Sequence, residues 1–263
     1  MINLKTKAWK INNIETILFD KDGTFVDLHY FWGKMTELRC EEVIKEFNLS
    51  PKFLSELCLI LGFDLDTKKM LPDGITAMYS RGIIIKIFRE KIEKYNVFTT
   101  EDKLAEIFDK VNVIFYKNLP NYVKPINEAI EFIKNIRAMG IKTGIVTSDS
   151  IESTKLTIEH FSWENLFDCA IGRECSKETK ESGALSALAL KELGADPKTT
   201  IMIGDTPMDY LSATNSGVEK TILVSTGQIP IEELKKTSPY IVNSLKEIEI
   251  SSVCENSLQG SLI

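Results

Sequence analysis

Five short apolar runs, each stopping at a polar or glycine turn and separated by helix-patterned stretches, constrain this 263-residue chain more than any other feature. They are Thr16–Phe19, Thr143–Val146, Cys169–Ile171, Thr200–Ile203 and Thr221–Val224, with Tyr240–Val242 as a sixth candidate. Such runs fit strands buried on both faces, as in a parallel sheet. Between them lie helical patterns over about 126–139, 153–160, 183–193 and 207–215. Gly140, Gly194 and Gly217 fall at or just past the ends of three of these, where helices stop. Strand-helix alternation of this kind predicts an α/β fold with a doubly wound parallel sheet.

The stretch from Tyr30 to Lys117 reads differently. Phe31, Met35, Leu38, Val43 and Phe47 recur at helical spacing. Asn48-Leu49-Ser50-Pro51 ends one helix and starts another, with Ser50 as N-cap and Pro51 in the first turn. A turn at Leu71-Pro72-Asp73-Gly74 precedes a helix expected over about 75–95, and Thr99 is expected to cap the next, with Asp102 three residues on. The chain therefore divides into an α/β core, residues 1–28 and 119–263, and an inserted all-α segment, residues 29–118. The polar tail from about Ser251 is expected to be mobile.

Composition narrows the chemistry. A hydrophobic fraction of 43% and a net charge of −6 describe a globular chain with no bias toward nucleic acid or an anionic membrane surface. No stretch approaches the roughly 20 apolar residues of a membrane span, and no signal peptide is evident. Cys40, Cys58, Cys169, Cys175 and Cys254 are odd in number and lack CxxC spacing. Reduced thiols in a cytoplasmic protein are expected rather than disulfides or structural zinc. With only His29 and His160 present, a centre built on histidine is a poor fit, and carboxylates and lysine are the expected reagents.

In open parallel sheets, ligands bind outside the carboxyl ends of the strands. Those ends carry Asp20 and Asp22, then Thr147 and Ser148, then Asp205 with Asp209 one turn further, while Lys180 lies in the loop before the helix at Gly183. Asp20 and Asp22 share a face in an extended segment. Carboxylates that close repel unless a cation sits among them, and an oxygen-only donor set favours Mg²⁺. A carboxylate can attack phosphorus, while Thr147, neighbouring amides and Lys180 hold the phosphate oxygens. Each motif alone has an ordinary explanation, since Asp-x-Asp-Gly is a common turn and Thr-Ser-Asp often caps a helix. Their succession at strand ends is what points to a phosphoryl-transfer site.

Asp20-Lys21-Asp22-Gly23-Thr24, Thr147-Ser148, Lys180 and Gly204-Asp205-Thr206 with Asp209 together resemble the motifs of the haloacid dehalogenase-like superfamily, within it the phosphoglycolate-phosphatase-like hydrolases. The resemblance covers roughly residues 14–28 and 120–245, and the stretch at 29–118 resembles the cap placed after the first strand. It implies a Rossmann-like core and a Mg²⁺-dependent phosphatase acting on a small phosphorylated metabolite through an aspartyl-phosphate. Asp20 would be the nucleophile and Asp22 the general acid/base. Asp20, Asp22 (through its backbone carbonyl), Asp205 and Asp209 would hold Mg²⁺, and Thr147, Ser148 and Lys180 the phosphate. One departure is Lys180-Glu181-Ser182-Gly183, where the family commonly has Lys-Pro-x-Pro, and Lys177 is the competing lysine. A phosphomutase, and a phosphoacceptor or binding protein without turnover, are the alternatives. His29, Tyr30, Trp32, Arg39 and Arg81 are the inserted residues placed to touch a leaving group, though the aromatic ones equally suit packing.

Overall fold

The computed structural model describes residues 1–253, so Cys254 and most of the expected polar tail lie outside the described residues. The chain order is β1 (Ile2–Lys5), β2 (Lys10–Ile14), β3 (Thr16–Phe19), α1 (Leu28–Glu46), α2 (Leu54–Leu61), β4 (Phe63–Asp64), β5 (Lys69–Met70), α3 (Ile75–Met78), α4 (Arg81–Ile92) and α5 (Glu101–Lys117). It continues with α6 (Asn127–Ala138), β6 (Lys142–Val146), α7 (Ile151–Phe161), β7 (Cys169–Ile171), α8 (Ala184–Leu193), β8 (Thr200–Gly204), α9 (Pro207–Asn215), β9 (Lys220–Val224), α10 (Ile231–Leu234), β10 (Tyr240–Val242) and β11 (Glu249–Ser252).

The six apolar runs form one parallel sheet in the order β10-β9-β8-β3-β6-β7. β3 is its middle, and all four of its residues are buried. Ile17, Leu18 and Phe19 have no exposed surface, and burial of each side chain contributes about 1.5–3 kcal/mol. Phe19 pairs with Ile145 of β6 on one side and with Ile203 of β8 on the other. The ends of β3, β6 and β8 are thus level. The chain leaves β3 toward β6 and later returns to β8 on the opposite flank, which makes this edge the switch point of the sheet.

A second sheet, β11-β1-β2, is antiparallel and goes beyond the sequence reading. It buries Ile2, Leu4, Ile11 and Ile14 against the main core. Ser251 and Ser252, expected in a mobile tail, are therefore strand residues paired to β1.

Between β3 and α6 the chain is helical apart from one hairpin. Val43, Leu57, Leu61, Phe88, Leu104 and Phe108 form a cluster of their own, while Phe31 and Met35 of α1 join the main core. Three local expectations need correction. The helix expected over about 75–95 breaks at Tyr79 and Ser80, whose backbones are extended (φ −130°, ψ 156° and φ −65°, ψ 155°), because Ser80 takes the N-cap position of α4. Thr100, not Thr99, caps α5, its hydroxyl accepting from the Lys103 N–H at 3.2 Å. The hairpin of β4 and β5 was not expected. It turns on the Asp64 carboxylate, which accepts from the Asp66 and Thr67 amides.

Cys40, Cys58, Cys169 and Cys175 are free thiols. Among the described residues, no helix is long and apolar enough to cross a membrane.

Candidate active site

β3 ends at Phe19, but the Asp20 amide still donates to the Ile203 carbonyl at 2.9 Å, so Asp20 stays in register with β8. The chain then turns tightly, the Lys21 carbonyl accepting from the Phe25 and Val26 amides. Gly23 permits this turn with φ +90°, a conformation disfavoured for side-chain-bearing residues. Thr147 follows β6, and its hydroxyl accepts from the Asp149 amide at 3.0 Å. Asp205 follows β8. Asp209 sits in the first turn of α9, where its Oδ2 accepts from the Asp205 and Thr206 amides at 3.2 and 3.0 Å.

These elements bring Asp20, Asp22, Thr147, Ser148, Lys180 and Asp205 to the lining of one cavity of about 190 Å³. Asp209 lies directly behind it, buried. Lys180 Nζ is 2.5 Å from Asp20 Oδ1 and 2.6 Å from Asp209 Oδ1. Lys177 is exposed at the surface. Asp20, Asp205 and Asp209 each offer an oxygen within 4.8 Å of the others. Asp22 turns its carboxylate elsewhere, to Lys21 Nζ at 2.6 Å.

Burial and crowding govern the protonation of this group. Burial pushes the Asp20 carboxyl up from 3.8 to about 7; Lys180 opposes the rise, and the Asp209 and Asp22 charges reinforce it. Asp205 is raised well above the usual carboxylate range by burial and then by Asp20 and Asp209. Burial also raises Asp22 despite Lys21. Burial alone would lower Lys180, but the Asp20 and Asp209 carboxylates outweigh it and keep the ammonium charged. Two neighbouring anions sharing one lysine still leave an excess of negative charge.

The donor set suits a divalent metal. Asp205 Oδ2 is buried without a hydrogen-bond partner. Two glycines leave it room: a Cβ on Gly23 or Gly227 would come within 2.3 or 1.7 Å of that oxygen. An unpaired carboxylate oxygen inside the protein is costly unless a cation or proton meets it. Carboxylate oxygens are hard donors and suit a hard divalent cation such as Mg²⁺.

The inserted candidates separate. Trp32 lines the cavity. His29 and Tyr30 face a different groove, where His29 Nδ1 accepts from the Met70 amide and Lys124 lies over the Tyr30 ring. Arg39 is buried over the Phe108 ring and donates to Asn112. Arg81 pairs with Asp109 at the surface. Sequence reasoning gave no part to the fully buried Lys21, which also reaches Asp149 Oδ2 at 3.0 Å, nor to Met70, Thr76, Met208 and Gln228 on the cavity wall. For Lys21 the available signal was a lysine set between two aspartates at the end of a buried strand.

Similarity to known proteins extends over most of the chain. It is 24% identical to a phosphoglycolate phosphatase of Aquifex aeolicus, over 83% of this chain and 88% of that protein. It is also 24% identical to pyrophosphatase PpaX of Oceanobacillus iheyensis, over 90% and 95%. Its fold is that of a crystal structure described as a predicted phosphoglycolate phosphatase from Haemophilus somnus, with TM-score 0.68, 19% identity and coverage of 90% and 97%. Residues 14–217 match the family model for haloacid dehalogenase-like hydrolase. That match spans most of the chain, and the protein belongs to the haloacid dehalogenase-like hydrolases.

Proposed function

We propose that this protein is a Mg²⁺-dependent phosphatase that cleaves a small phosphomonoester through an aspartyl-phosphate on Asp20. The observation that carries the reading is Lys180 Nζ lying 2.5 Å from Asp20, in a buried cluster with Asp205 and Asp209. A carboxylate held this way at a switch point has one face toward the cavity and its charge partly offset behind. The names of the Aquifex and Oceanobacillus relatives, a phosphoglycolate phosphatase and a pyrophosphatase, support phosphorus chemistry.

In this reading Asp20 attacks phosphorus as the bond to the leaving oxygen breaks. Thr147, Ser148 and Lys180 hold the phosphoryl oxygens. Asp22, which burial keeps more readily protonated than a free aspartate, gives its proton to the leaving oxygen. The resulting Asp22 carboxylate then takes a proton from water as the water oxygen attacks phosphorus, freeing Asp20 and phosphate. Mg²⁺, when held by Asp20, Asp205 and Asp209 with the Asp22 backbone carbonyl, would draw charge from the phosphoryl oxygens. Residues 29–118 act as a cap over the core formed by residues 1–28 and 119–263, shielding the reaction from bulk water. Phosphate release from a panel of small esters, with Mg²⁺ and with EDTA, tests the reading. It requires metal-dependent release from at least one ester.

A further inference from the structure

Resting on that reading, we propose that the substrate is a phosphomonoester with an uncharged, largely apolar leaving group, and that Trp32, Met70 and Thr76 select it. The residues lining the cavity are of two kinds. One is the carboxylate edge of the sheet. The other is Leu28, Trp32, Met70, Thr76, Met208 and Gln228. Leu28, the last core residue before the insertion, and Trp32 come from α1, Met70 from β5 and Thr76 from α3, so the inserted segment and the residue leading into it supply a hydrocarbon and indole wall to the cavity that the carboxylates also line. Thr76 Oγ1 is buried without a hydrogen-bond partner and gives that wall one polar contact.

Charge makes the same distinction. Five carboxylates reach the centre (Asp20, Asp22, Asp149, Asp205 and Asp209) against two ammonium groups, Lys21 and Lys180. A divalent cation brings this sum no higher than neutral, and the transferring phosphoryl group then adds negative charge of its own. A second anionic group, such as a carboxylate or another phosphoryl, needs a cation of its own in a low-dielectric cavity. Among the described lining residues the only Lys, Arg or His is Lys180, already shared by two aspartates. Arg173, in the neighbouring outer cavity, is paired to Glu174 at 3.0 Å and shares that cavity with Glu178 and Glu181. The volume of about 190 Å³ is below the roughly 300–1,000 Å³ typical of larger ligands, so the leaving group is compact.

The experiment compares kcat/KM of the Mg²⁺-loaded protein for benzyl phosphate, 2-phosphoglycolate and pyrophosphate. Benzyl phosphate is expected to lead by about tenfold or more, the discrimination that a shaped apolar pocket achieves. Equal or better use of phosphoglycolate or pyrophosphate overturns the substrate class and leaves the phosphatase reading standing. No hydrolysis of any ester overturns both. Thr76→Lys places a cation on the wall. It should move the phosphoglycolate-to-benzyl ratio upward by about tenfold, chiefly through KM, and an unchanged ratio removes Thr76 from the leaving-group wall.

Discussion

Lys21 Nζ stands 3.0 Å from Asp149 Oδ2, a buried ion pair that links the turn after β3 to the loop after β6. The same ammonium holds Asp22 at 2.6 Å and lies 4.6 Å over the Phe31 ring of α1. One side chain therefore joins the core, the proposed acid/base and the first inserted helix.

Removing that ammonium leaves two buried carboxylates without a counter-charge. Lys21→Met should cost about 3–5 kcal/mol in denaturant unfolding. Adding Asp149→Asn should recover part of the loss, because an amide needs no cation. A Lys21→Met protein as stable as the parent would show that the pair does not hold the turn.

Lys180 and Lys177 make a sharp contrast. Lys180→Gln should lower kcat/KM by at least about tenfold to a hundredfold, since it removes a charged donor aimed at Asp20. Lys177→Gln, at an exposed position, should leave steady-state kinetics within error. The reverse pattern would assign the phosphate-binding role to Lys177.

Gly227 backs directly onto Asp205. In Gly227→Ala the new Cβ would fall 1.7 Å from Asp205 Oδ2, a distance no real contact tolerates. The carboxylate must move, so Mg²⁺ affinity measured by calorimetry should drop by about tenfold or more while far-ultraviolet circular dichroism stays native. Unchanged Mg²⁺ binding would take Asp205 out of the metal site.

Stability without metal should depend on pH with a defined sign. The Asp20 carboxyl titrates near 3.8 when unfolded and about 7 when folded, so the folded chain binds the proton more tightly. Its stabilising contribution is fully present below 3.8 and is lost as pH rises to about 7. Asp22 and Asp205 are raised and act with the same sign. Asp149 is lowered, Lys21 overcoming the upward push of burial, and so acts below this window. His29 is lowered by burial and opposes the trend, as a single half-buried group against three buried carboxylates. Melting temperature in EDTA should fall from about pH 4 to pH 7, and Mg²⁺ should flatten the slope. A melting temperature that rises across this interval would contradict the charge crowding described here.

The parallel sheet was legible because each of its strands is a short apolar run closed by a turn, and burial on both faces leaves no alternation to confuse with a helix. Knowing the strands also made Asp20, Thr147 and Asp205 neighbours, since parallel strands present their carboxyl ends to one edge. The β11-β1-β2 sheet was not legible: it joins the two ends of the described chain, and local pattern says nothing of such pairing. The break at Tyr79 and Ser80 was hidden because the apolar spacing runs through it to Ile84 and Phe88. The pairing of Lys21 with Asp149 needed coordinates too. A lysine at a strand end usually reaches water, whereas here Phe31 packs over the ammonium and Asp22 and Asp149 hold it inside.

The central claim is that Asp20 attacks phosphorus, and turnover by Asp20→Asn tests it most directly. With Mg²⁺ and the best ester of the panel, a folded Asp20→Asn protein should lose at least about 10³-fold in kcat. A folded Asp20→Asn protein that keeps its turnover would contradict the account.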